Sequence, residues 1–317
     1  MFYSIRHLTQ FRYDSPVSES LMELRMHPRT EGPQRTLSFQ LSIDPRAQVN
    51  SYRDYLGNTV HHFDVPGKHT QLRIIAEALV EVQSPDDPPA RLGADAWTKL
   101  DALIASGDYG EMLLPSLFTQ PTPALAQLAE DLHVERSNDP LSYLRELNSA
   151  IHDWFDYVPK STRVDSPIDQ AIESRQGVCQ DFAHIMIALA RSAKIPCRYV
   201  SGYLFPDGQR PDRSPEGATH AWLEALLPGI GWIGFDPTND LIARDRHIRT
   251  AIGRDYADVP PAKGVFKGKA ASDLTVSVRV ALSDSPLPPE PESGTEPEWE
   301  EPAKSDAIES QQQQQQQ

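Results

Sequence analysis

The chain has 317 residues, 39% of them apolar, and 30 Lys+Arg against 45 Asp+Glu give a net charge of −15. That length allows one large domain or two ordinary ones with a substantial core, while the acidity argues against nucleic acid or an anionic membrane surface as a general partner. Two cysteines, Cys179 and Cys197, are too few for a disulfide framework or a four-thiolate zinc site, and with no basic-then-apolar start and no membrane-length apolar run the expectation is a reduced, cytoplasmic protein.

Residues 1 to about 83 read as strands: Phe2 to Tyr13, Glu19 to Met26, Thr36 to Ile43, Ser51 to Val65 broken at a Gly57-Asn58 turn, and Gln71 to Val82. Short segments bounded by Pro, Gly or Asp predict an antiparallel sandwich. His61 and His62 are adjacent and so point to opposite faces of a strand, which makes a shared metal ion a poor reading. Ser84-Pro-Asp-Asp-Pro-Pro89 is a linker by composition.

Three amphipathic helical patterns follow, Ala94 to Ala105, Pro123 to Val134 and Pro140 to Phe155. A short helix to Ser174 is expected next, capped by Asp165 or Ser166 with Pro167 at its first position. It hands over to Arg175-Gln-Gly-Val-Cys-Gln-Asp-Phe-Ala-His184. Gly177 stands just upstream of Cys179, and Phe182, Met186, Leu189, Ala190 and Ala193 then recur at helical spacing up to Ile195-Pro196. The turn therefore delivers a thiol to a helix start, where unpaired N–H groups and the dipole favour a negative charge and suit a thiolate nucleophile.

A nucleophile needs a base and a group to orient it. Cys197 to Phe205 reads as a strand, 206 to 217 as a surface loop, and a strand beginning at His220 runs to Leu227. After Pro228-Gly-Ile-Gly231 a second strand carries Trp232 to Asp236. So short a turn makes these strands antiparallel neighbours, which sets His220 and Asp236 at one edge of a sheet, as base and orienter. His184, five residues along the Cys helix, points elsewhere and reads as packing. A zinc site from Cys179, His184 and Cys197 fails because they sit at opposite ends or faces of one helix and no fourth ligand is placed. Cys197 reads as a packed thiol.

The words Gly-Val-Cys179-Gln-Asp-Phe-Ala-His184, Ile-Pro-Cys-Arg-Tyr-Val-Ser-Gly-Tyr203, His220-Ala-Trp222 and Gly-Trp232-Ile-Gly-Phe-Asp236-Pro-Thr238 closely resemble the transglutaminase-like superfamily of thiol enzymes. The similarity is to its bacterial branch, described as cysteine proteases, and covers nearly all of residues 1 to 283. It implies an α+β fold: an N-terminal antiparallel β-sandwich, then a papain-like or transglutaminase-like core with the Cys helix packed on an antiparallel sheet. It also implies that Cys179, His220 and Asp236 are a catalytic triad.

The domain expectation is a sandwich over 1–85, a catalytic core over 86–283 with Arg249 to Tyr256 and Leu274 to Leu282 as outer strands of its sheet, and a disordered acidic and polyglutamine tail over 284–317. Nine carboxylates against one lysine between Asp284 and Ser310 carry over half of the net charge. The functional expectation is acyl transfer on a peptide or side-chain amide through a thioester, hydrolysis favoured, with no cofactor, no metal, and a peptide or protein as partner. The alternatives are a protein-glutamine cross-linking transglutaminase, a deamidase, or a non-catalytic peptide-binding scaffold. The Cys179 N–H supplies one oxyanion donor, and Tyr157 and Gln176 are the candidates for a second.

Overall fold

The computed structural model describes residues 1–133, 136, 138–206, 208 and 212–284; the tail expected from residue 284 onward lies outside them apart from Asp284. Strand β1 (Phe2–Leu24) pairs along its length with β4 (Thr59–Val82), antiparallel, with register shifts between Arg12 and Glu19. The expected separate strands before and after Ser15-Pro16 are thus one irregular strand, because a bulge lets the ladder continue past the proline. At one end β4 takes β2 (Gln34–Asp44) and β1 takes β13 (Ser272–Ser283); at the other end β4 takes β3 (Asn50–Arg53) and β1 takes β12 (Ala262–Phe266). Tyr3, Ile5, Leu24, Phe63, Leu72 and Val276, drawn from both ends of these strands, share one core, so the bent sheet closes on itself as a sandwich.

One expectation is corrected. Residues 274–282 do not add to the sheet that carries His220 and Asp236; they lie in β13, against β1. Val276 and Val278 alternate into the first core, and a period-2 pattern states that one face is buried without stating against which sheet.

The second sheet is antiparallel in the order β10 (Leu241–Ala243), β9 (Gly231–Asp236), β8 (His220–Leu227), β7 (Cys197–Leu204), β11 (His247–Gly253). Helices α1 (Ala96–Ala105), α2 (Pro123–Asp131), α3 (Pro140–Trp154), α4 (Ile168–Ser174) and α5 (Cys179–Ser192) supply the other layer. Thr122 caps α2 by accepting from Leu125 N–H, and Asp139 caps α3 by accepting from Leu141 and Ser142 N–H, each ahead of a proline at the first helical position. At α4 the capping expectation fails: Pro167 itself is the N-cap, without a side-chain cap, and the Ser166 hydroxyl accepts instead from Arg163 N–H.

Helix α5 is buried from Cys179 through Arg191, so it packs on every side and carries little of the polarity of a surface helix. Its last turn is tied down by Arg191, whose guanidinium donates to the carbonyls of Met112, Leu114, Cys197 and Arg254 and to the hydroxyls of Ser116 and Thr119. The two sheets also meet directly. The Asp54–Asn58 hairpin, closed by Gly57 at φ +78, presents Asn58 to Ile252 of β11 as a strand residue would, Nδ2 to O at 2.8 Å and N–H to Oδ1 at 2.9 Å.

Candidate active site

The start of α5 is fixed by Asp181. Its carboxylate accepts from Val178 N–H at 2.9 Å and from the Thr162 hydroxyl at 2.5 Å, a fold-back that replaces a capping side chain at Val178. Burial pushes this carboxyl up to about 6 despite those two donors. Gly177 sits in tight quarters: a Cβ there would meet Phe182 at 3.0 Å and Asp181 at 3.1 Å, so either side chain would have to give way. The result is that Cys179 sits in the first turn of a rigid helix with 7% of its surface exposed.

His220 opens β8 and Asp236 closes β9. His220 Nε2 lies 2.8 Å from Asp236 Oδ2, and both residues are buried. Burial alone would push the imidazole down, but the charge and hydrogen bond of Asp236 outweigh it, the Cys179 thiol adds to them, and the pKa is raised well above the ordinary 6.5. Burial would raise Asp236, yet the two histidines that face it hold it far below the carboxylate range. Asp236 is therefore an ionised acceptor, and the proton between the two sits on Nε2 of His220. Nδ1, the other ring nitrogen, is buried with no hydrogen bond of regular geometry. The thiol interacts with this imidazole but is the looser of its two partners.

The structure thus brings together Cys179, His220 and Asp236, the three residues singled out from the sequence. It adds two that were not. His247, at the head of β11, places Nε2 3.1 Å from the same Oδ2 of Asp236, while its Nδ1 accepts from Arg244 N–H at 3.3 Å; that backbone donor fixes the tautomer so that Nε2 carries the proton. Asn239 Nδ2 donates to Oδ2 at 2.8 Å, and the N–H groups of Thr238 and Asn239 donate to Oδ1 at 3.1 and 3.3 Å. Asp-Pro-Thr-Asn is a recognisable turn, so Asn239 was open to discovery; His247 belongs to a strand with no chemical word around it.

Trp222 is fully buried, stacked near His220 with ring centroids 5.9 Å apart and edge-on to His247 at 5.1 Å. Gly202, opposite His220 in β7, makes room for it: a Cβ there would lie 2.7 Å from Trp222 and 2.2 Å from the Ile248 carbonyl. Tyr157, in the two-residue strand β5 (Asp156–Tyr157), is pushed up by burial and, less, by the charges of Cys179 and Asp181. Gln176 is exposed.

His184 faces away, its Nε2 accepting from Tyr256 N–H at 3.1 Å between Phe118 and Tyr199. Cys197 is fully buried and pushed up to about 12 by burial. Among the described residues, one set of donors is close enough to hold a metal ion: atoms of His220, Asp236 and His247 lie within 4.8 Å of one another. Both imidazoles already share one carboxylate oxygen in hydrogen bonds, which accounts for that proximity.

The family model of the bacterial transglutaminase-like N-terminal region matches residues 3–81, and that of the transglutaminase-like superfamily matches residues 126–237. An uncharacterized protein of Mycobacterium leprae is 33% identical over 275 residues, 86% of this chain and 96% of that protein. The chain belongs to the transglutaminase-like superfamily. A crystal structure from Cytophaga hutchinsonii, described as a "Putative Cysteine Protease", covers 90% of this transglutaminase-like chain and 92% of its own, with a TM-score of 0.67 and 24% identity, and shows the same fold. A protein-glutamine gamma-glutamyltransferase of Pseudomonas aeruginosa is 30% identical over 161 residues, 46% of this chain and 23% of that protein. The core match ends at 237, one residue past Asp236, so His247 lies beyond it.

Proposed function

We propose that this transglutaminase-like protein is a cysteine-dependent acyl-transfer enzyme acting on peptide or side-chain amides, with hydrolysis as its reaction. The observation that carries the reading is the hydrogen-bonded pair His220 and Asp236, buried on a sheet edge, with Cys179 near enough to add to the rise in the imidazole's pKa. With His220 raised well above 6.5 the imidazole is protonated on both nitrogens at neutral pH, so the thiol proton already rests on Nδ1 and the Cys179 sulfur attacks the amide carbonyl as the thiolate paired with it. The C–N bond breaks as the imidazolium returns that proton to the leaving amine, and Asp236 stabilises the imidazolium throughout. The thioester so formed is cleaved by water, which restores the thiol and releases a carboxylic acid.

Oxyanion stabilisation is assigned to the Cys179 N–H at the helix start and to Tyr157. If an amine rather than water resolves the thioester, the same residues perform cross-linking, and the partial likeness to the Pseudomonas protein-glutamine gamma-glutamyltransferase favours that second reading. Incubation of the purified chain with an unfolded protein substrate, with and without a primary amine, followed by mass measurement, separates the two. Shorter fragments, or a 1 Da gain where glutamine becomes glutamate, indicate hydrolysis; an amine adduct indicates transfer. Unchanged masses with Cys179 intact and reactive would leave a binding protein.

A further inference from the structure

Beside His220 lies a cavity of about 120 Å³ lined by Leu204, Ser214 and Gly217 on one side and by Val278 and Val280 of β13 on the other. It is therefore built by both sheets: β13 belongs to the first, His220 to the second. The orientation of β13 there is set by its register. It pairs with β1 through Ile5–Val280, Arg6–Arg279 and His7–Val278, yet Val278 N–H donates away from β1, to the Gly217 carbonyl at 2.8 Å. In an antiparallel ladder the main-chain groups of alternate residues point the same way, so the N–H and C=O of Val280 and the C=O of Val278 also point outward, to the cavity side. Their side chains meanwhile pack in the first core. Among the described residues β13 has no strand partner besides β1.

An open strand edge alone is commonplace and is usually blunted. This one is distinguished by what it faces: His220, whose imidazole would shuttle the proton, is among the residues lining the same cavity, and the loop leading to it is anchored on the same edge by the Gly217–Val278 bond. We propose that Val278–Val280 of β13 pairs with the main chain of an extended polypeptide, adding it as a strand and leading it to Cys179 and His220. The inference rests on the proposed acyl-transfer function and deepens it. The substrate class it names is an unfolded polypeptide segment of several residues, recognised through its backbone and hence with broad side-chain tolerance, and the N-terminal sheet becomes the substrate guide.

The test uses alkylation of Cys179 by iodoacetamide in the full chain, with a tryptic digest of casein as competitor. The digest slows alkylation of the wild-type chain. In Val280→Pro, which removes an outward N–H without touching the ladder to β1, the digest concentration that halves each variant's own alkylation rate rises roughly three- to tenfold, the effect of one main-chain hydrogen bond. Because a proline can disturb β13 itself, amide exchange at Val280 is measured in parallel in Cys179→Ala and slows when the digest is added. The proposal is overturned if the digest gives the wild-type chain no protection, or if it protects both chains equally and leaves exchange at Val280 unaltered. Failure of Cys179 to react ahead of Cys197 is a separate result: it removes the nucleophile itself, and the substrate guide falls with it.

Discussion

His247 donates to the same oxygen of Asp236 that holds His220, at 3.1 Å against 2.8 Å. The two imidazoles come from strands at different places in the sheet order, β11 and β8, with β7 between them, and they converge on the carboxylate at the end of β9. His247 is itself kept neutral, burial lowering its pKa more than Asp236 raises it, so it supplies a hydrogen bond without competing for charge.

Replacement of His247 by Ala removes one donor from a buried, ionised carboxylate, a loss of about 1.5–3 kcal/mol for a hydrogen bond to a charged group. Turnover of an amide substrate should fall by roughly tenfold or more, while iodoacetamide still reaches Cys179. His247→Gln, which retains an N–H donor, should recover part of the loss; equal rates for wild type and His247→Ala would show that Asn239 and the turn amides suffice.

The two cysteines should separate cleanly. Cys197 is fully buried and pushed up to about 12, so it remains a protonated thiol at neutral pH. Mass-mapped labelling should place a thiol-directed electrophile on Cys179, disappear in Cys179→Ala and persist in Cys197→Ala. Labelling confined to Cys197 would end the assignment of the nucleophile.

Asp236→Asn is expected to lower turnover on the order of 10³–10⁴-fold, as removal of the orienting carboxylate does in other triads. Its stability signature depends on pH. His220 is raised above 6.5, so its contribution is complete below 6.5 and disappears as pH rises through its folded value; Asp236 is lowered below 3.8, so its contribution is complete above 3.8 and disappears on acidification. The difference in Tm between wild type and Asp236→Asn should therefore be largest between pH 3.8 and 6.5 and shrink in alkali. A difference that grows with alkalinity would contradict the buried ion pair.

Gly202→Ala tests the packing beneath the site. A methyl group there overlaps the Ile248 carbonyl and the Trp222 ring, and neither β11 nor a fully buried indole can move without displacing His247 or His220. Overpacking of this kind costs about 1–3 kcal/mol, so both Tm and turnover should fall, whereas substitution at Gly229, where the Cβ direction is open but φ is +80, should lower Tm through backbone strain and leave turnover unchanged.

The sequence by itself determined which residues form the candidate site. A glycine before a cysteine at the head of an apolar-periodic helix, and a histidine and an aspartate at matching ends of a tight hairpin, are local facts: helix phase, strand alternation and turn length decide them over a few residues. The order of strand, helix and strand was readable for the same reason. Tertiary structure alone decided which sheet 272–283 joins, that the segments around Ser15-Pro16 form one strand, and that His247 reaches Asp236 from beyond the intervening β7. These depend on pairings between residues far apart in the chain, and alternation records only that a face is buried, never what covers it. For that reason the candidate side chains could be named before any coordinates, whereas the strand edge of β13 that borders His220 could not.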